Sequence, residues 1–333
     1  MLSLPRPLIT HRVLRCFIYF GVFVSCLAPL SCVRSPQPML RIATNVWPGY
    51  EMLYLARSLD LYQDAPIRLV EMPSASQSLH AIRNGIVEAA ALTLDEALNL
   101  MQDPSLDLRV ILVMDVSNGA DALLGRGDLV EVQQLRGKRV GVENTATGAV
   151  VLDAALERAG LHAEDIVIVP KTVNDHLAAW KNQEIDALIT FEPVRSSLLA
   201  EGAHELFNSS QIPGRILDVL LVRADAIEAH RASLKKLVGA YFAAQDYLRQ
   251  QPDDAAKRMT PRLAVSPQEV LAMFKGLGLP DLSENRRWLA APAPALHKVA
   301  TDLAALMRRH DLLQTDVKTD FLAESGFLPD APP

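Results

Sequence analysis

The chain has 333 residues, half of them apolar, and a formal net charge of −6. That length can bury the cores of two lobes of ordinary domain size. The acidic balance and the lack of a long basic run exclude nucleic acid as the main partner, and the scattered acids exclude a disordered chain.

In chain order, the first 32 residues stand apart. Arg6, Arg12 and Arg15 precede an apolar run over 16–30, too short for a spanning helix and suited to a secretory signal. Cys32 follows Ser31 and precedes a polar, proline-containing stretch, so 1–31 reads as a signal peptide and 32–38 as a lipidated cysteine with its tether. Pro29 stands where such lipoprotein signals usually carry leucine, and Cys26 is a second candidate. The three cysteines are 16, 26 and 32, so the body of the protein has no internal disulfide, cysteine metal site or cysteine nucleophile.

From residue 40 the pattern alternates. Residues 40–43 read as a strand, followed by the corner Trp47-Pro48-Gly49-Tyr50-Glu51 and a helix carrying Met52, Leu53, Leu55, Ala56 and Leu59. Strands at 67–70, 89–92 and 108–114 alternate with a helix over 76–84 and a helix opened by the capping-box spacing Thr93 to Glu96. After an irregular segment over 115–127 the alternation restarts: strands at 139–142, 166–169 and 187–190, helices at 148–158 and 175–181, and Pro193 at a first helical turn. A strand at 218–222 precedes helices at 226–250, 253–259, 267–274 and 294–310. Two βαβ runs predict two mainly parallel sheets flanked by helices, with the helical tail returning to wrap the first lobe.

Ligands of such sheets sit at the carboxyl ends of the strands. The segments there are 47–51, 73–77, Thr93, 143–148 and 191–193, with 115–121 crossing between lobes. Trp47 and Tyr50 read as a pocket wall or as a core anchor. Ser74, Ser76 and Thr93 read as helix caps whose N–H groups also attract anions. The turn holding Glu143, Thr145 and Thr147 could present backbone N–H groups or be an ordinary turn, and Asn118 belongs to a common turn pair. Catalytic signals are thin. There is no Gly-x-Ser-x-Gly, no His-Glu-x-x-His and no P-loop, and the 174–176 stretch reads as a cap with a surface histidine.

These residues, from Trp47 to Glu51 through Ser74-Ala75-Ser76, 89–93, 115–122, 135–143 and 186–193, resemble the solute-binding proteins of ABC importers for sulfonates, taurine, nitrate and pyrimidine thiamine precursors. The resemblance covers residues 40 to about 225. It implies a type II periplasmic-binding-protein fold, with lobe 1 formed by 39–117 and 214–325 and lobe 2 by 118–213, closing over a ligand. It implies no catalysis and no cofactor. The expected ligand set is Trp47, Tyr50, Glu51, Ser74, Ser76, Thr93, Asp115, Asn118, Asp121, Glu143, Thr145, Thr147 and Glu192, and the expected partners are an ABC permease and its ATPase. The protein is expected to be a monomer, held outside the cytoplasm by lipid on Cys32. Helix starts favour an anion, whereas Glu51, Asp115, Asp121, Glu143 and Glu192 favour an amine-bearing or zwitterionic solute unless they face away or pair with arginine, Arg195 for example. Rival readings are a ligand sensor for a membrane receptor and a synthase-like enzyme of thiamine-pyrimidine formation.

Overall fold

A computed structural model describes residues 37–331; the signal and Cys32 expectations lie outside the described residues. Strand β1 (Leu40–Thr44) leads through the corner into helix α1 (Glu51–Ser58). Next come β2 (Ile67–Glu71), α2 (Ala75–Arg83), β3 (Ala89–Thr93), α3 (Leu94–Leu100) and β4 (Leu108–Ser117). The chain then enters a second sheet: β5 (Asp121–Gly125), β6 (Arg139–Val142), α4 (Ala146–Ala159), β7 (Val167–Pro170), α5 (His176–Lys181), β8 (Ala187–Phe191), α6 (Val194–Ala200) and β9 (His204–Asn208). It returns through β10 (Leu217–Arg223), α7 (Ile227–Gln250), α8 (Pro252–Leu263), α9 (Pro267–Met273), β11 (Leu277–Gly278), α10 (Leu282–Leu289) and α11 (Ala295–Arg309).

The sheets run β11-β4-β10-β3-β1-β2 and β7-β6-β8-β5-β9. Both faces of each are covered, which is why β3 and β4 are almost continuously buried. Helices α1, α7 and α8 pack on one face of the first sheet, and α2, α3 and α11 on the other. The α/β class, the two helix-flanked sheets and the tail packed on the first sheet are as the sequence predicts. Among the described residues no helix is long and apolar enough to cross a membrane.

The sheets are less uniformly parallel than expected. Strand β10 is antiparallel to β3 and β4, and β5 is antiparallel to β8 and β9. Each is the first strand after a crossing, so it enters its sheet from the cleft side, against the direction of the βαβ strands. Helix α8 also runs past Pro261, which lies inside its last turn, to Leu263. Pro193 caps α6 from outside, and the helix starts at Val194.

Candidate functional site

The first corner is built around one missing side chain. Trp47 is extended, Pro48–Tyr50 form a 3-10 turn, and α1 starts at Glu51. The Trp47 Nε1–H donates to Asp115 Oδ2 at 3.1 Å, and the Tyr50 hydroxyl donates to Asp218 Oδ1. A β-carbon on Gly49 would stand 1.7 Å from Asp115 Oδ2 and 2.6 Å from Trp47 Nε1. Gly49→Ala is therefore expected to cost about 3 kcal/mol or more, by overpacking and by breaking a buried hydrogen bond. Denaturant unfolding measures it; a loss below about 1 kcal/mol would mean the corner shifts freely.

Trp47 and Tyr50 are 4% and 3% exposed, and both line a cavity of about 50 Å³ between the sheets. Trp47 meets Phe191 of the second sheet edge-on, ring centroids 5.6 Å apart at 85°. Trp47 thus has one edge tied into the core while another part bounds the cavity.

The expected residues divide. Thr93, Asp121, Glu143, Thr145 and Thr147 join the two rings on the cavity wall. Six do not. Glu51, the first residue of α1, is fully buried, and its Oε1 accepts from Arg262 Nη1 at 2.6 Å. Ser74 caps α2 by accepting from the Gln77 N–H. Ser76 turns toward Glu143, whose Oε1 accepts from its N–H at 3.1 Å and its hydroxyl at 2.7 Å. Asp115 lies behind Trp47. Asn118 is exposed on the crossing, its N–H bonded to the Gly276 carbonyl. Glu192 accepts from Arg195 at 2.8 Å and from the Ser196 hydroxyl and N–H at 2.9 and 3.1 Å.

Sequence reasoning missed Asp218, Glu96 and His176 as wall residues. Asp218 opens an apolar strand, and its register against Thr93 and Asp115 sets it at the cleft end of the sheet. Glu96 looked like half of a capping box, which it is, but it also faces the cavity. His176 is buried rather than superficial. Burial pushes its pKa down to about 4, so the ring is neutral. Its Nε2–H donates to the Lys171 carbonyl, which leaves Nδ1 to accept from the Thr190 hydroxyl at 3.0 Å.

The wall is rich in carboxyls held above their ordinary range. Burial raises Asp121 to about 7, and burial plus neighbouring Asp95 raises Glu96 to about 8. Burial and the adjacent Asp115 push Asp218 well up, while Asp115 itself rises to about 7 through burial. The two sheets touch across the cleft. Besides the Ser76–Glu143 and Trp47–Phe191 contacts, the Thr93 and Thr147 hydroxyls are 2.7 Å apart, and His310 Nδ1 lies 2.8 Å from Asp153 Oδ1. At the crossings the Ser117 and Ser209 hydroxyls are 2.8 Å apart.

The profile of the NMT1-like family matches residues 34–264. The taurine-binding periplasmic protein of Escherichia coli is 26% identical over 215 residues, which is 61% of this chain and 66%, just under two thirds, of that protein's length. The alkanesulfonate-binding protein SsuA from Xanthomonas axonopodis pv. citri, bound to MOPS, superposes with a TM-score of 0.72 at 21% identity, over 85% of this chain and 97% of that one. The desulfurization enzyme DSZB shares the fold at a TM-score of 0.64 and 17% identity, over 87% of this chain and 97% of that one. The resemblance read from the sequence is borne out.

Proposed function

The chain belongs to the NMT1-like family, and we propose that it is an extracytoplasmic solute-binding protein that traps a small polar organic solute between two lobes and hands it to an ABC importer. The observation that carries this reading is the cavity itself. It is enclosed by both sheets and bridged by polar and aromatic contacts that exist only while the sheets are together. Lobe 1 would be 39–117 with 214–325 and lobe 2 118–213, turning about the crossings at Ser117 and Ser209. The named relatives that bind taurine and alkanesulfonates support a small organic solute. The cavity's histidine is neutral with both ring nitrogens engaged and is no ready proton shuttle. Export by the 1–31 segment and acylation at Cys32 would hold the protein beside its permease.

Closure on a solute predicts a more compact protein. Small-angle scattering with a panel of amines, sulfonates, amino acids and heterocycles should show a smaller radius of gyration with the solute that binds. Release of a chemically altered solute, or an unchanged radius with every member, would contradict the trap.

A further inference from the structure

Four carboxyl groups line the cavity, those of Glu96, Asp121, Glu143 and Asp218, and among the described residues no lysine or arginine does. Asp121 Oδ2 and Glu143 Oε2 have no hydrogen-bond partner, although the residues are only 6% and 5% exposed. A buried acceptor left empty costs about 1–3 kcal/mol, more when charged, and a ligand donor would remove that cost.

An anion would find one helix start open to it, that of α4, where Thr145, Thr147 and Gly148 line the cavity. The other helix starts at the cleft already carry the protein's own carboxylates. Glu143 sits on the Ser76 N–H of α2, Glu96 on the Thr93 N–H of α3, and Glu192 on the Ser196 N–H of α6. An added negative charge about 4 Å from one ionised carboxylate would cost about 4 kcal/mol at an effective dielectric of 20. The rest of the wall includes Trp47, Tyr50, Phe191, Val151 and Ile189, which suits an apolar body and, at the ring faces, a cation. Among the described residues no cluster of three or more His, Cys, Asp or Glu is arranged to hold a metal ion.

Resting on the trap reading, we infer that the solute is a small organic cation, an ammonium, amidinium or guanidinium head on a compact apolar or aromatic body, with its N–H groups donating to Asp121 Oδ2 and to Glu143. The Glu143 contact also explains how binding and closure are joined. The same carboxylate holds Ser76 across the cleft through Oε1 and offers Oε2 to the ligand.

Calorimetric titration and thermal shift with benzylammonium, benzamidinium, benzamide, benzenesulfonate and taurine test this. Both cations should bind and stabilise, with benzamide weaker and the sulfonates without effect. Asp121→Asn and Glu143→Gln should each weaken benzamidinium by at least about tenfold, or 1.4 kcal/mol. The ligand-free variants should unfold no earlier than the parent, since each loses a buried charge and Gln keeps an acceptor for Ser76. Tighter binding of benzenesulfonate or taurine, failure of both cations to bind, or unchanged cation affinity in both variants overturns the inference. Compaction with a sulfonate would leave the trap standing and remove only the cation.

Discussion

Arg262→Ala should destabilise the protein by about 1.4 kcal/mol more at pH 8 than at pH 5, because the folded variant must hold a proton on Glu51 that the parent has largely released at pH 8. Arg262 of α8 reaches under the first corner. Its Nη1 donates to Glu51 Oε1 at 2.6 Å, its Nε to Glu71 Oε2 at 2.8 Å, and its guanidinium lies 3.4 Å from the centroid of the Tyr54 ring. Burial, opposed by Arg262, leaves Glu51 at about 7, so without the guanidinium it would hold a proton at higher pH still. At pH 5 the variant's Glu51 is neutral, and the destabilisation should shrink. Glu51→Gln added to Arg262→Ala should recover part of the loss at pH 8. Equal losses at pH 5 and pH 8 would show that stacking on Tyr54, not the buried charge, is what Arg262 supplies. The helical tail thus does more than cover the first sheet, since α8 staples the corner that carries Trp47 and Tyr50.

The ligand-free protein should lose stability as pH rises from about 6.5 to 8. Asp115, Asp121 and Glu51 near 7, and Glu96 near 8, all have folded values above their unfolded ones. In that window the folded state holds protons that the unfolded state has already released, so the stability change with pH is negative. Each such group contributes at most about 1.4 kcal/mol per pH unit, and together they should remove about 2–4 kcal/mol. His176 works in the opposite sense. Its folded value near 4 lies below the unfolded one, so its contribution is lost as pH falls through about 6.5, and above 6.5 it offsets the carboxyls by only about 0.4 kcal/mol. Calorimetric unfolding at pH 6.5, 7.25 and 8 gives the slope, and Asp121→Asn should flatten it. Flat or rising stability would mean that these carboxyls ionise freely in the folded protein. A bound organic cation should flatten the slope as well, because it stabilises the ionised form, and its affinity should tighten over the same window.

Strands buried on both faces were readable as apolar runs, β4 most plainly. The short β5 was hidden in what looked like an irregular crossing, because it follows the Asn118-Gly119 turn and runs against its neighbours. The edge strand β9 is largely polar and partly exposed, so it carries no hydrophobic period. Helix α10 had a readable start in Asp281 and Glu284, which form a capping box.

The corners of the site were legible because they follow the carboxyl ends of strands. Which acids face the cavity was not, because that is decided by partners distant in sequence. Glu51 is taken out of play by an arginine 211 residues away, and Asp115 by Trp47, 68 residues away. Glu192 was the exception, since its partner Arg195 lies three residues on and could be named in advance. Asp218 enters the cleft only through the antiparallel register of β10, which no local pattern announces.

A crystal structure with the tightest-binding of the five probes would show which charge the cavity accepts. We expect closed lobes around the probe, a protonated nitrogen within hydrogen-bond distance of Asp121 Oδ2 and Glu143, and Glu143 still bonded to Ser76. A sulfonate or carboxylate group of the probe seated on the Ser76 N–H, with Glu143 swung out of the cleft, would contradict both the cation and the role given to Glu143.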